Sequence, residues 1–130
     1  MGDAIKITPE TGKRMFAWAV KYLAEKREAI NAINVFPVKD KDTGSNMLSG
    51  VRGALRKVSG EEYPDSENGR ASFYADLQKG LLRSAQGNAG VISAAWLQKF
   101  CRCIFTDGEC APEKFVEALE KGKDGACSAV

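Results

Sequence analysis

The chain has 130 residues, of which 44% are hydrophobic and 28% charged, and its 19 basic and 17 acidic side chains leave a formal net charge of +2. This size and composition predict one globular domain spanning residues 1–130, and the mixing of the charges excludes an electrostatic argument for nucleic acid or an anionic membrane as partner. The absence of histidine excludes Ser-His-Asp and Cys-His catalytic systems and any zinc site that needs imidazole.

The sequence predicts neither export nor membrane insertion. Its longest apolar run, residues 15–20, is far too short to span a bilayer, and the N-terminus lacks the basic and apolar segments of a secretory signal. We therefore expect a cytoplasmic protein without a membrane span. The four cysteines form no Cys-x-x-Cys pair, so we expect reduced, mostly buried thiols in preference to a zinc site or a disulfide framework.

The first predicted helix begins at Thr8, with Pro9 at its first helical position and Glu10 in its first turn. Apolar residues then recur at the spacing of an amphipathic bundle helix. They are Phe16, Ala19, Val20, Leu23, Ile30 and Ile33. Because proline cannot continue a helix, Pro37 is expected to end this one before an acidic loop.

The acidic loop is where the chain departs from a helical pattern. Asp40 and Asp42 are one residue apart, so in an extended segment their carboxylates share one side. Lys39 and Lys41 would then face the opposite side. Magnesium commonly binds one or two carboxylates together with phosphate oxygens and water, so the pair suits a magnesium-bound nucleotide. The alternative left open is that Asp42 only caps the next helix and Asp40 is solvated.

The second predicted helix begins at Gly44 or Ser45 and ends at Ser59-Gly60. Unpaired backbone N–H groups at its start, together with the positive end of the helix dipole, would attract an anion such as phosphate. The residues at this start are Thr43, Gly44, Ser45 and Asn46. The acidic, turn-rich stretch 61–69 is expected to be a solvated connector.

The third predicted helix covers residues 71–85, and its apolar residues are expected to face inward. These are Phe73, Leu77, Leu81 and Leu82. The turn Gly87-Asn88-Ala89-Gly90 then interrupts the pattern and offers a second helix N-terminus, where glycines permit close approach of a ligand to the backbone. Most turns of this kind only connect helices, so that interpretation stays open.

The fourth predicted helix follows at Val91 and is rich enough in bulky apolar residues to be nearly buried. A turn at Asp107-Gly108 separates it from a fifth helix, which begins at Pro112 and is expected to break within residues 122–125. Strand signals are weak throughout. The predicted fold class is therefore an all-α bundle.

Two motifs carry a family resemblance, whereas neither a P-loop nor a Rossmann glycine pattern is present. Residues 34–47 resemble the N-V-F-P-V-P-D-G-D-T-G-T-N-M signature of the DhaL (DAK2) nucleotide-binding domain, found in fatty acid kinases and related to the L subunit of dihydroxyacetone kinase. Residues 87–92 are similar to the G-A-R-G-N-S-G-V-I turn of that family. The motifs stand in the family's order, and the similarity extends over most of the chain.

The resemblance implies an antiparallel helical barrel that binds ATP or ADP at one end, with Mg²⁺ held between the first two helices. The implied metal ligands are Asp40, Asp42 and Asn34. The implied nucleotide-binding residues are Thr43, Gly44, Ser45, Asn46, Gly87, Asn88 and Gly90. The implied reaction is phosphoryl transfer from ATP, in fatty acid kinases to an acyl carboxylate presented by a separate DegV-type carrier protein. Such a reaction depends on positioning and charge neutralisation, so no side chain is assigned as a catalytic acid, base or nucleophile.

The sequence also departs from the family pattern. Lys39 replaces a proline, Lys41 a glycine, Gln86 an arginine and Ala89 a serine. Family members continue beyond position 130 through further helices, so we expect a domain that lacks its C-terminal helices. Its exposed apolar faces favour self-association or a partner that supplies the missing wall. These departures favour an alternative, a non-catalytic helical domain used for protein association. A generic helical adaptor with an accidental acidic loop is a third possibility.

Overall fold

The computed structural model describes residues 3–35 and 39–129, and within these ranges it contains five helices and a two-stranded ladder. The helices are α1 (Pro9–Ala32), α2 (Thr43–Ser59), α3 (Glu67–Ser84), α4 (Gly87–Phe105) and α5 (Pro112–Ser128), and the strands are β1 (Ile5–Lys6) and β2 (Glu109–Cys110). The prediction of an all-α fold is confirmed. Pro37 and its neighbours Phe36 and Val38, which belong to the first motif, lie outside the described residues, as does Val130.

Two helix starts are set by hydroxyl side chains. The Thr8 hydroxyl accepts a hydrogen bond from the Thr11 N–H at 3.0 Å, as expected for the cap of α1. Ser66 caps α3 in the same way by accepting from the Gly69 N–H at 3.0 Å. Helix α3 therefore begins at Glu67 and not at residue 71. The Ser66 cap allows residues 67–70 to be helical although their polar side chains and glycine favour a turn.

The glycines expected to interrupt helices lie inside them. The turn 87–90 is the first turn of α4, and α5 continues through Gly122 and Gly125 to Ser128. A Cβ at Gly122 would lie 2.6 Å from the Trp96 ring, and one at Gly125 would lie 2.7 Å from the Ala95 carbonyl oxygen. Both glycines are therefore explained by the close packing of α5 against α4, so the predicted helix break is wrong.

Helix α2 is central because it packs against α1, α3 and α4, while α5 packs on α4. Buried apolar side chains from all five helices form one core. Its largest fully buried side chains are Phe73, Leu48, Leu77, Leu81, Ile104 and Val58. The Phe73 ring makes edge contacts with Tyr63 and Phe105, at centroid distances of 5.3 and 5.2 Å.

The predicted core was too broad at three positions. Ile33, Leu82 and Val91 are 79%, 52% and 46% exposed. Ile33 follows the last residue of α1, and the other two lie on helix faces that no other described element covers. Considering residues 3–35 and 39–129, none of the helices combines the length and the apolar character that crossing a membrane requires.

The short ladder was not predicted from the sequence. Ile5 pairs with Cys110 and Lys6 with Glu109 in antiparallel register, and the Ile7 N–H donates to the Gly108 carbonyl at 2.8 Å. The two strands are only two residues long each, so they show no alternating pattern that could be recognised. The ladder attaches the segment before α1 to the turn between α4 and α5.

Candidate functional site

The two sequence motifs meet in a cleft of about 350 Å³ between the end of α1 and the first turns of α2 and α4. Most of the predicted site residues line it, whereas Gly44, Ser45 and Gly90 do not. The lining residues are Asn34, Asp40, Asp42, Thr43, Asn46, Gly87, Asn88, Ala89 and Ile92. Residues far apart in the chain thus share one cavity, because α2 and α4 pack side by side.

The acidic pair lies at this cleft, and the two neighbouring lysines are not among its lining residues. The backbone is not extended here, because Lys41 has a φ of 54° in the left-handed region. Alternation along a strand therefore does not explain the arrangement. Among the described residues, no three Asp, Glu, His or Cys side chains lie close enough together to hold a metal ion. A cation at Asp40 and Asp42 would need water or phosphate oxygens to complete its shell.

Asn34 holds the loop in place through its backbone and its side chain. Its Oδ1 accepts hydrogen bonds from the N–H groups of Asp42, at 3.0 Å, and Thr43, at 3.2 Å. Its carbonyl oxygen accepts from the Lys41 N–H at 3.3 Å. The side-chain oxygen that the resemblance offers to a metal is thus engaged with the two amides at the start of α2.

The backbone N–H groups at the start of α2 are not free. Asn31, in the last turn of α1, accepts at Oδ1 from the N–H groups of Gly44, at 2.8 Å, and Ser45, at 3.2 Å. The Asn46 N–H donates to the Asp42 carbonyl at 2.8 Å. The prediction that unpaired amides of α2 face an anion is therefore wrong for residues 43–46, because Asn34, Asn31 and the Asp42 carbonyl already accept from their N–H groups.

Asn31, which lies behind the cleft and binds the first turn of α2, was not predicted from the sequence. The sequence does contain an indication of this role, because Asn31 and Asn34 carry amide side chains near the end of one helix and shortly before the start of the next. Amide oxygens are suitable acceptors for the unpaired N–H groups of a first turn. Caps are usually sought in the residue just before a helix, and here the acceptors come from the preceding helix instead.

The first turn of α4 has a different environment. Its N-cap residue, Gln86, makes no capping hydrogen bond with its side chain. Gly87 has a φ of 66°, and a Cβ at this position would lie 2.5 Å from the side-chain nitrogen Nδ2 of Asn46. A Cβ at Gly90 would lie 3.4 Å from the Asn46 carbonyl oxygen. Asn46 therefore packs directly on the start of α4, the helix whose first amides no described side chain caps.

An apolar groove of about 510 Å³ lies next to this cleft and shares Ala89 and Ile92 with it. Its walls come from α1, α2, α4 and α5. The remaining lining residues are Ala19, Leu23, Met47, Val51, Ser93, Trp96, Leu97 and Ala126. The polar cleft is thus backed by a large apolar surface.

Comparison with known proteins shows which family the chain matches. A family profile described as the DAK2 domain matches residues 37–130. The chain is 36% identical over 120 residues to Protein YloV of Bacillus subtilis, covering 92% of this chain and 21% of the relative. It is 32% identical over 129 residues to an uncharacterized protein of Staphylococcus haemolyticus, covering 96% of this chain and 22% of the relative. The chain thus spans about a fifth of the length of these curated relatives.

Proposed function

Because this chain belongs to the DAK2 domain family, which is kinase-related and in general associated with nucleotides, we propose that it is an ATP- and Mg²⁺-dependent phosphotransferase domain. The observation that supports the proposal is the shared cleft, which two exposed carboxylates line together with the first turn of α4, whose N-cap side chain makes no capping hydrogen bond. A carboxylate pair suits a hard cation, and a helix N-terminus suits an anion. A magnesium-bound nucleotide phosphate combines both.

The chain's own groups divide between these two tasks. In the proposal, Asp40 and Asp42 hold the cation, which when bound neutralises phosphate charge. Thr43 and Asn46 offer polar side chains to the phosphates from α2, and Asn88 offers one from α4. Since Asn31 and Asn34 already occupy the first amides of α2, we assign backbone contacts with phosphate to α4 and not to α2.

The absence of histidine is compatible with this chemistry. Phosphoryl transfer relies on alignment of the reactants and on stabilisation of charge over the phosphate oxygens, with little need for a protein nucleophile. The acceptor that we propose is an acyl carboxylate delivered by a DegV-type carrier, in line with the resemblance to fatty acid kinases. We propose a cytoplasmic location for this activity, because ATP is available there.

A second candidate function, protein association without catalysis, is favoured by the substitutions around the cleft. Lys41 adopts a left-handed conformation that a glycine would adopt with less strain. Gln86 and Ala89 supply neither the cation nor the hydroxyl that the family motif has at these positions. Large apolar side chains, including Trp18 at 67% exposure, are available for contact with another protein or a second copy.

Calorimetric titration with ATP in the presence of Mg²⁺ separates the two candidates. We expect the unaltered chain to bind, and the double variant Asp40→Asn, Asp42→Asn to bind at least about tenfold more weakly, since it loses both cation ligands. The matched control is Glu117→Gln, Glu120→Gln, which removes the same charge from exposed positions of α5. If the unaltered chain gives no heat of binding, it has no working nucleotide site. If all three proteins bind with equal affinity, the nucleotide binds somewhere other than at Asp40 and Asp42.

A further inference from the structure

The joint between α1 and α2 depends on one amide side chain. Asn31 receives the Gly44 and Ser45 N–H groups on its Oδ1 and donates from Nδ2 to the Ser45 hydroxyl oxygen at 3.0 Å. Its side chain thus makes three hydrogen bonds to the first turn of α2. Asn31 does not line the cleft, so direct contact with a ligand there does not explain this arrangement.

The joint is also closely packed. Gly44 is buried, and a Cβ at this position would lie 2.7 Å from the Arg27 carbonyl oxygen and 3.1 Å from Asn31 Oδ1. The first turn of α2 therefore contacts the α1 backbone with no room for a side chain. Asn31 supplies the hydrogen bonds that join this turn to α1 at such a short distance.

The two residues just before Gly44 and Ser45 line the cleft. Asp42 precedes α2 and Thr43 is its first residue, and both line the cavity. The Asn34 side chain holds the N–H groups of these two residues, while Asn31 holds those of the next two. The backbone of residues 42–45 is thus held by two consecutive pairs of hydrogen bonds, one from Asn34 and one from Asn31.

We propose that Asn31 is a positioning residue, which acts through Gly44 and Ser45 to aim Asp42 and Thr43 into the cleft. The inference rests on the proposed function, because it requires that the cleft binds a cation and a nucleotide phosphate. It assigns to Asn31 an effect on ligand affinity that is separate from its contribution to stability. A displacement of about 1 Å at a binding group is enough to reduce affinity or rate strongly.

Three substitutions separate the hydrogen bonds that Asn31 makes. Asn31→Leu removes all of them at similar size, whereas Ser45→Ala removes only the bond from Nδ2. Asn31→Asp keeps the oxygen that accepts from both amides, and the Ser45 hydroxyl can turn to donate to the second carboxylate oxygen. Asn68→Leu is the matched control, since Asn68 is an exposed residue in the first turn of α3 and does not line the cleft.

The test compares binding of Mg²⁺-ATP, measured by calorimetry, with unfolding in urea for the same proteins. We expect Asn31→Leu to weaken binding by about tenfold, Ser45→Ala by about threefold, and Asn31→Asp and Asn68→Leu by less than about twofold. In a chain that already carries Asp42→Asn, Asn31→Leu should have little further effect on affinity while its effect on unfolding persists. A purely structural role would not produce this dependence on Asp42.

The outcomes distinguish this inference from the proposed function. Binding by the unaltered chain together with undiminished binding by Asn31→Leu overturns the positioning role and leaves the proposed function standing. Where Asn31→Leu does not fold, unchanged affinity in Ser45→Ala overturns the role in its place. The absence of Mg²⁺-ATP binding by the unaltered chain overturns the proposed function and this inference together.

Discussion

At the scale of single residues, the feature of Lys41 that matters is its left-handed backbone conformation. Among the described residues, Lys41 is the one non-glycine residue recorded with a positive φ, which is 54°. A left-handed conformation costs a residue with a Cβ about 1–2 kcal/mol, and glycine avoids that cost. The family motif carries glycine at this position, so the structure gives a physical reason for the motif and a penalty for the lysine.

Lys41→Gly should raise the free energy of unfolding by about 0.5–1 kcal/mol, because relief of the strain exceeds the extra chain entropy of glycine in the unfolded state. Urea denaturation measures this difference. Glu62→Gly is the control, because Glu62 is also an exposed loop residue and is not among the residues with a positive φ. The explanation fails if both substitutions change stability by the same amount.

At the scale of elements, the contact between α2 and α3 depends on two glycines that face each other. A Cβ at Gly80 would lie 2.6 Å from the Gly53 carbonyl oxygen, and one at Gly53 would lie 2.9 Å from the Gly80 carbonyl oxygen. Backbone atoms cannot move aside as a flexible side chain can. The close approach of the helices therefore requires both glycines, although each one lowers the intrinsic helix propensity of its own element.

Gly80→Ala should lower the free energy of unfolding by about 1–3 kcal/mol, since the added methyl group forces α2 and α3 apart. Gly50→Ala is a matched control in α2, where an added Cβ meets nothing within 4 Å. That control should be stabilising by about 0.5–1 kcal/mol through helix propensity. Equal destabilisation by the two variants in urea or thermal unfolding would contradict this account of the contact.

At the scale of the whole molecule, the core encloses a cysteine thiol whose reactivity can be used to measure how often the core opens. Cys101 is 2% exposed on α4, and burial raises the pKa of its thiol to about 12. Cys127, near the end of α5, is exposed. Because the thiolate is the reactive form, a buried thiol with a raised pKa reacts only when the structure around it opens.

A thiol reagent at pH 8 should therefore label Cys127 at once and Cys101 much more slowly, with a rate that rises with urea concentration in parallel with unfolding. Peptide mapping by mass spectrometry after timed quenching assigns the label to each cysteine. Under full denaturation the two residues should react at similar rates. Native-state labelling of Cys101 as fast as Cys127 would mean that the core around α4 is open.

Part of the fold and of the candidate site could be predicted from the sequence. The start of α1 at Pro9 and the end of α2 at Ser59 were predictable because each depends on adjacent residues. The start of α3 and the continuity of α5 were not, because the first depends on the Ser66 cap and the second on contacts with α4. Most residues of the cleft could be predicted from the family resemblance, but the partners of the α2 amides could not.

The sequence by itself determined the helical class, the order of the helices and the position of an acidic loop before a helix, because these depend on local propensity and periodicity. Only the tertiary structure decided that the Asp40 loop and the Gly87 turn share one cleft, and that Asn31 and Asn34 occupy the α2 amides. The physical reason is that a hydrogen bond or a cavity between distant segments depends on how helices pack, which no local pattern records.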